Sequence, residues 1–204
     1  KFQLLVPSLL LLLLKRRWKA LAGFMGGSAV LLLVSWALVG LSGLESYARL
    51  LVEMSGWVER RGIYPSQMHN FRGQFYALLY PDYVVLANVL TVTASLLLLV
   101  LLARAWVGSW EADRPDFDLK FALLVTTSLL VSPHLNFHDL SLLLLPGLLI
   151  CRLALQQPAS AGHRRLLVGL FIVGFPLQVM SFSVSRIVPI NLNVLGLLWV
   201  SFMT

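Results

Sequence analysis

Along most of this chain apolar and polar residues do not alternate at a helical or a strand period. They fall into long apolar runs separated by short polar patches. The runs are Phe2 to Leu14, Leu21 to Leu44, Tyr83 to Ala103, Leu119 to Val131, Leu140 to Leu155, Leu166 to Val184 and Ile187 to Phe202. A hydrocarbon layer ~30 Å thick takes about 20 helical residues per crossing, so the pattern predicts roughly seven transmembrane helices, two of them at the chain ends. The expected fold class is therefore all-α, a polytopic transmembrane helix bundle forming one membrane domain over residues 1–204.

The segment from Glu45 to Tyr80 breaks the pattern, being too long for a simple turn between spans. Tyr47, Leu50, Leu51, Met54, Trp57 and Val58 recur at i, i+3, i+4, i+7, with Glu45, Arg49, Glu53, Glu59 and Arg60 on the remaining face. That periodicity predicts an amphipathic helix lying on the membrane surface, with Trp57 suited to the headgroup zone. A break from Gly62 to Pro65 follows, and after it the polar stretch Met68-His69-Asn70-Phe71-Arg72-Gly73-Gln74.

Composition agrees with the pattern: 58% of residues are hydrophobic and 12% charged, with a mean hydropathy of +0.83. A soluble core of this size does not need so much apolar surface. The formal net charge of +7 is explained by basic residues flanking spans and needs no nucleic acid, anionic lipid headgroups being a sufficient partner. Lys15, Arg16, Arg17, Lys19, Arg104, Arg114, Lys120, Arg152, Arg164 and Arg165 fall on one side of the predicted bundle, and Arg49, Arg60, Arg61, Arg72 and Arg186 on the other. The larger group marks the first side as cytoplasmic. The single Cys151 has no intrachain partner for a disulfide, and no glycine-rich phosphate loop is present. Gly23, Gly26, Gly27, Gly40 and Gly43 are spaced to let helices approach closely.

Three polar constellations fall on the extracytoplasmic side of this topology. In the first, Arg72 offers a planar fork of donors to a phosphate, Asn70 and Gln74 sit one helical turn apart and can bond a sugar, and His69 lies beside them. In the second, Ser132-Pro133-His134-Leu135-Asn136-Phe137-His138-Asp139-Leu140, proline ends one span and Asp139 is placed to cap a helix beginning at Leu140. His134 and His138 are four apart, a spacing that suits one helical face, but a histidine pair without a third ligand is a weak metal signal. The third, Ser185-Arg186 followed by Asn191 and Asn193, is expected to snorkel to headgroups. On the cytoplasmic side Glu111, Asp113, Arg114, Asp116 and Asp118 surround Pro115 in what reads as a solvated connector.

The apolar runs, the stretch Asn70-Phe71-Arg72-Gly73 after a surface helix, and Ser132-Pro133 followed by His138 at the head of the leucine-rich run to Pro146 together resemble glycosyltransferase family 87, over about residues 20–155. The resemblance implies a GT-C fold and a relation to polyprenyl-phosphate-mannose-dependent mannosyltransferases. It implies transfer of a hexose, mannose foremost, from a polyprenyl-phosphate donor to a glycan or lipid acceptor at the extracytoplasmic face, with no cofactor and no metal. Asn70, Arg72, His138, His69 and Gln74 are then the expected substrate-binding residues, and Arg72 and His138 the groups that stabilise the leaving phosphate. The chain departs from the commoner form of the family at Leu135, Asn136 and Asp139, which leaves His138 rather than His134 as the residue carried over. Such enzymes place a catalytic carboxylate in the first outer loop. Because the chain opens inside an apolar run at Lys1, the expectation is a C-terminal fragment whose base lies upstream, with Glu45, Glu53 and Asp139 the nearby substitutes. A lipid or small-solute transporter and a non-catalytic membrane subunit are the alternatives. The transporter predicts ionisable residues near span centres and related halves, and neither is visible.

Overall fold

A computed structural model describes residues 1–55, 68–108, 110–111 and 116–156. The described residues are helical, with no strand among them. After a 3-10 turn at Phe2–Leu5 come α1 (Val6–Leu14), α2 (Trp18–Ser55), α3 (Phe71–Leu79), α4 (Val84–Ala105) and α5 (Phe117–Val131), then a 3-10 segment, Phe137–Leu143, that leads into α6 (Leu144–Gln156). Two helices among the described residues are long and apolar enough to cross a membrane, Trp18–Glu53 within α2 and Val84–Ala105. As described, α1, α5 and α6 fall short of the about 20 residues a crossing takes. Among the described residues, two of the seven expected spans are therefore seen at full length. The last two apolar runs and the Ser185-Arg186 constellation lie outside the described residues, as do Trp57, Val58 and the Gly62–Pro65 break.

The chain divides into two compact units, residues 9–64 and residues 1–8 with 65–204. The first is dominated by α2, whose apolar side chains are exposed around the helix; Val30, Leu31, Leu32, Leu33 and Val34 are exposed in succession. The helical path breaks at Gly40, at φ 69° and ψ 177°. That region is open essentially to glycine alone. The residues expected to form a separate surface helix therefore follow this break, as Leu41–Ser55 of α2, with Glu45, Tyr47, Arg49 and Leu50 exposed. Among the described residues a Cβ added at Gly23, Gly26, Gly27 or Gly40 meets nothing within 4 Å. At Gly40 the role is backbone conformation. Gly40→Ala is expected to destabilise the broken path by about 1–3 kcal/mol, or to straighten it, with no steric contribution. Distances between spin labels at positions 30 and 50 distinguish the two outcomes.

In the second unit α5 is central, packing against α3, α4, α6, the 3-10 segment and the N-terminal turn. Its residues 122–124 and 126–130 are all buried. Two of the polar ones, Thr126 and Ser128, cost little because they donate to their own preceding turn, to the carbonyls of Ala122 at 2.8 Å and Leu124 at 2.9 Å. An apolar cluster gathers one end of the unit: Phe71 of α3, Leu98 of α4, Leu129 and Leu130 of α5, Leu135 of the following turn, and Leu140 and Leu143 of the 3-10 segment, with Leu4 and Phe75 against it. α3 and α4 form a short antiparallel pair, joined through a cis Tyr80-Pro81 peptide and by a hydrogen bond from the Tyr76 hydroxyl to Asn88 Oδ1 at 3.0 Å.

At the other end of α4, Trp106 is 1% exposed. It lies against Trp110 with the rings tilted by 38° and their centroids 4.4 Å apart, and meets the Phe117 ring edge-on at 5.8 Å. Its indole N–H donates to the Lys120 carbonyl at 3.2 Å. The acidic connector expected to be merely solvated contributes to this end: Asp116 pairs with Lys120 at 2.7 Å and Asp118 with Arg152 at 3.3 Å.

Candidate functional site

The two short motifs, some sixty residues apart in sequence, meet above the apolar cluster. α3 begins immediately after Asn70, which adopts the extended conformation of an N-cap (φ −141°, ψ −178°). Its Oδ1 accepts from the Gly73 N–H at 2.7 Å, satisfying one of the donors that a helix start leaves open. Its Nδ2 donates to the carbonyl of Ser132 at 2.6 Å. Asn70 is fully buried, with its amide engaged at both ends.

The chain needs such donors at this point. Pro133 has no N–H and pushes Ser132 out of the helical region, so α5 stops and the carbonyls beyond it need partners from elsewhere. Three successive carbonyls find them in side chains. Ser132 receives Asn70, Pro133 receives Arg72 Nη1 at 3.3 Å, and His134 receives Gln3 Nε2 at 3.3 Å and the Ser132 hydroxyl at 3.0 Å. The Arg72 guanidinium also lies over the Tyr76 ring, 5.4 Å from its centroid, where the ring face attracts the cation. Only one of its nitrogens is used in hydrogen bonding, and Arg72 is partly exposed.

The second half of the junction differs from the sequence expectation. The helical turns begin at Phe137 rather than Leu140, with Asn136 at the N-cap and Asp139 three residues on. Asp139 therefore does not occupy the cap position. Its carboxylate folds back to accept the Asn136 N–H at 2.7 Å, the carboxylate half of a capping box, and it pairs with the ammonium of Lys1. His134 and His138 share no helix, because His134 precedes the turn that starts at Phe137, and the premise of one common face fails. The His138 side chain is 73% exposed, with Nε2 3.7 Å from Asp139 Oδ1. Among the described residues no three His, Cys, Asp or Glu side chains are grouped to hold a metal ion.

Burial, then the charges of Arg72 and Lys1, push the His134 imidazole below its ordinary value of 6.5; Asp139 acts the other way and loses. A histidine that resists protonation in the fold but not in the unfolded chain makes stability rise with pH. Its contribution is complete above 6.5 and is lost as pH falls from there through the lowered folded value. Amide protection factors of residues 132–139, corrected for the intrinsic pH dependence of exchange, are expected to fall selectively across that acidic window. His134→Gln, which cannot be protonated, is expected to flatten the response.

Of the residues singled out from sequence, Asn70, Arg72, His134 and Asp139 thus lie in one hydrogen-bonded junction. His138 lies on its exposed side. His69 is buried next to the Asn70 cap, and Gln74 lies one turn into α3, its N–H bonded to the Asn70 carbonyl at 3.0 Å. Glu45 and Glu53 belong to the other unit. Lys1, Gln3 and Tyr76 complete the junction and carried no signal in the sequence; only the unsatisfied carbonyls after Pro133 hinted that donors were required.

Residues 4–133 match the model of glycosyltransferase family 87, well over half of the chain. The match takes in both Asn70-Phe71-Arg72-Gly73 and Ser132-Pro133, and ends before His138. No curated protein and no solved structure gives a significant match.

Proposed function

Because the chain belongs to glycosyltransferase family 87, we propose that it is part of an integral membrane enzyme that moves a hexose, mannose foremost, from a polyprenyl-phosphate donor to a glycan or lipid acceptor at the extracytoplasmic face. As a glycosyltransferase it acts on a sugar donor and an acceptor. The observation that carries the finer reading is the junction itself, where the partly exposed Arg72 and the exposed His138 flank a turn fixed by buried hydrogen bonds. Nucleotide sugars are not ordinarily present outside a cytoplasmic membrane, so a transferase there needs a donor held in the bilayer. The exposed apolar circumference of α2 and the largely apolar, 22-residue α4 suit such a surrounding.

In this reading the acceptor hydroxyl attacks the anomeric carbon, its proton passing to a base, while the bond from that carbon to the phosphate oxygen breaks and the lipid phosphate leaves with the electron pair. Arg72 holds the phosphate as negative charge develops on the departing oxygen, and His138 supplies a further hydrogen bond. Asp139 is committed to Lys1 and the Asn136 N–H, which leaves the base to a carboxylate elsewhere in the full protein. The test is made with the full-length protein in vesicles, supplied with radiolabelled polyprenyl-phosphate-mannose or with a nucleotide-linked mannose. Transfer from the lipid-linked sugar alone supports the reading. Transfer from the nucleotide sugar, or from neither that donor nor any other polyprenyl-phosphate hexose, overturns it.

A further inference from the structure

Asn70 has a carboxamide suited to a sugar hydroxyl, yet it is fully buried and neither end of its amide is idle. We propose that Asn70 is a positioning residue: its amide is a strut that sets the Ser132–Asp139 turn in register with Arg72 on the first turn of α3, and it acts on the reaction through those groups rather than by touching the sugar. For its catalytic consequence this rests on the reading of the junction as the transfer site; its structural content does not.

The two hydrogen bonds of the amide have different tasks. The Oδ1 bond to the Gly73 N–H starts α3 and so fixes the direction in which Arg72 leaves the helix. The Nδ2 bond crosses to the Ser132 carbonyl, 62 residues away in sequence, at 2.6 Å and out of contact with solvent. Pro133 cannot rejoin the turn to the α5 ladder, so beyond α5 the position of the Ser132 carbonyl is held from outside the helix. Among the described residues, the other ties near Pro133 are longer and less buried, and the Lys1–Asp139 ion pair holds only the far end of the turn. Arg72 to Pro133 and Gln3 to His134 both measure 3.3 Å, and the former is exposed to solvent. A bond shielded from water is the one whose loss leaves a carbonyl without a substitute partner. Serine and aspartate both serve as N-caps; aspartate carries no donor, and serine's single donor sits on the capping oxygen itself, one bond short of where the amide nitrogen stands. They therefore separate the cap from the strut.

The full-length protein in nanodiscs is compared with its Asn70→Ser and Asn70→Asp variants by amide hydrogen exchange, and the His134 imidazole is titrated by NMR in wild type and Asn70→Ser, which adds no charge. Exchange across residues 132–139 is expected to rise about tenfold or more in both variants while residues 74–79 of α3 keep wild-type protection. The His134 titration is expected to move up toward the ordinary histidine value as the turn drifts from Arg72 and Lys1 and becomes hydrated; Asp139, the one facing carboxylate, remains in place. Where transfer is measurable, the effect is expected chiefly in kcat. Unchanged exchange in 132–139, or equal release of α3 and the turn in both variants, overturns the proposal, the second because Asn70 would then be a cap only. Loss of folded protein in both overturns it too, since the residue would be a determinant of folding. None of these readouts depends on sugar transfer, so failure of the donor assay leaves the strut to be judged on its own.

Discussion

Arg72→Ala is expected to lower sugar transfer by about 10²-fold or more, the size seen when one donor to a developing oxyanion is removed from a shielded site. Among the described residues the side chain meets the Pro133 carbonyl and the Tyr76 ring, and it is partly exposed. Arg72→Lys keeps the charge but gives up the planar fork that serves carbonyl and phosphate together. It is expected to recover part of the rate, less than a conservative change would at a site using charge alone. Loss of Arg72 also removes a cation that holds His134 down, so the imidazole titration is expected to rise in Arg72→Ala. The two measurements divide the roles. A risen His134 titration with undiminished transfer would leave Arg72 a clasp for the turn and remove it from the chemistry.

The second large effect lies at the opposite end of the same unit and concerns stability alone. Trp106→Ala is expected to destabilise the folded protein by about 3–5 kcal/mol, because a nearly inaccessible indole is lost from between Trp110 and Phe117 and the gap cannot fully close. Since whole domains are stable by only about 5–15 kcal/mol, this change is expected to be near the limit of tolerance. Trp106→Phe retains the ring contacts and loses the hydrogen bond to the Lys120 carbonyl, for which a loss of about 1 kcal/mol is expected. Denaturant unfolding in detergent micelles measures both. Equal losses for the two variants would place the energy in the N–H bond and not in the packing.

The match of residues 4–133 to the family rests on features legible without coordinates. The apolar runs announced helices, and α4 lies where Tyr83 to Ala103 predicted one. Pro133 announced the end of α5, since the ring disfavours the helical conformation in the residue before it and offers no N–H to continue the ladder. Asn70 read as a polar residue of a recognisable motif, but its type is equally that of a sugar ligand, an N-cap or a strut. Only its burial and two bond partners point to the latter pair of tasks. The His134 and His138 spacing suggested a shared face that the turn does not provide, because periodicity has meaning only inside a continuous helix and none runs through Pro133. Hydropathy records how apolar a run is but not where its helix starts and stops, and among the described residues two of the seven expected spans are long enough to cross a membrane.

By itself, then, the sequence determined what is local: helices throughout the described residues, among them α2 and α4 long and apolar enough for a bilayer, the stop at Pro133 and the family to which the motifs belong. These follow from side-chain volume, ring closure and transfer from water, which act within a few residues. The tertiary structure alone decided which donor answers which carbonyl: Asn70 for Ser132, Arg72 for Pro133, Gln3 for His134, and Lys1 for Asp139. Any amide or cation serves such a carbonyl or carboxylate equally well in isolation. The choice falls to whichever one the packing of Phe71, Leu129, Leu130, Leu135 and Leu140 brings within hydrogen-bond reach.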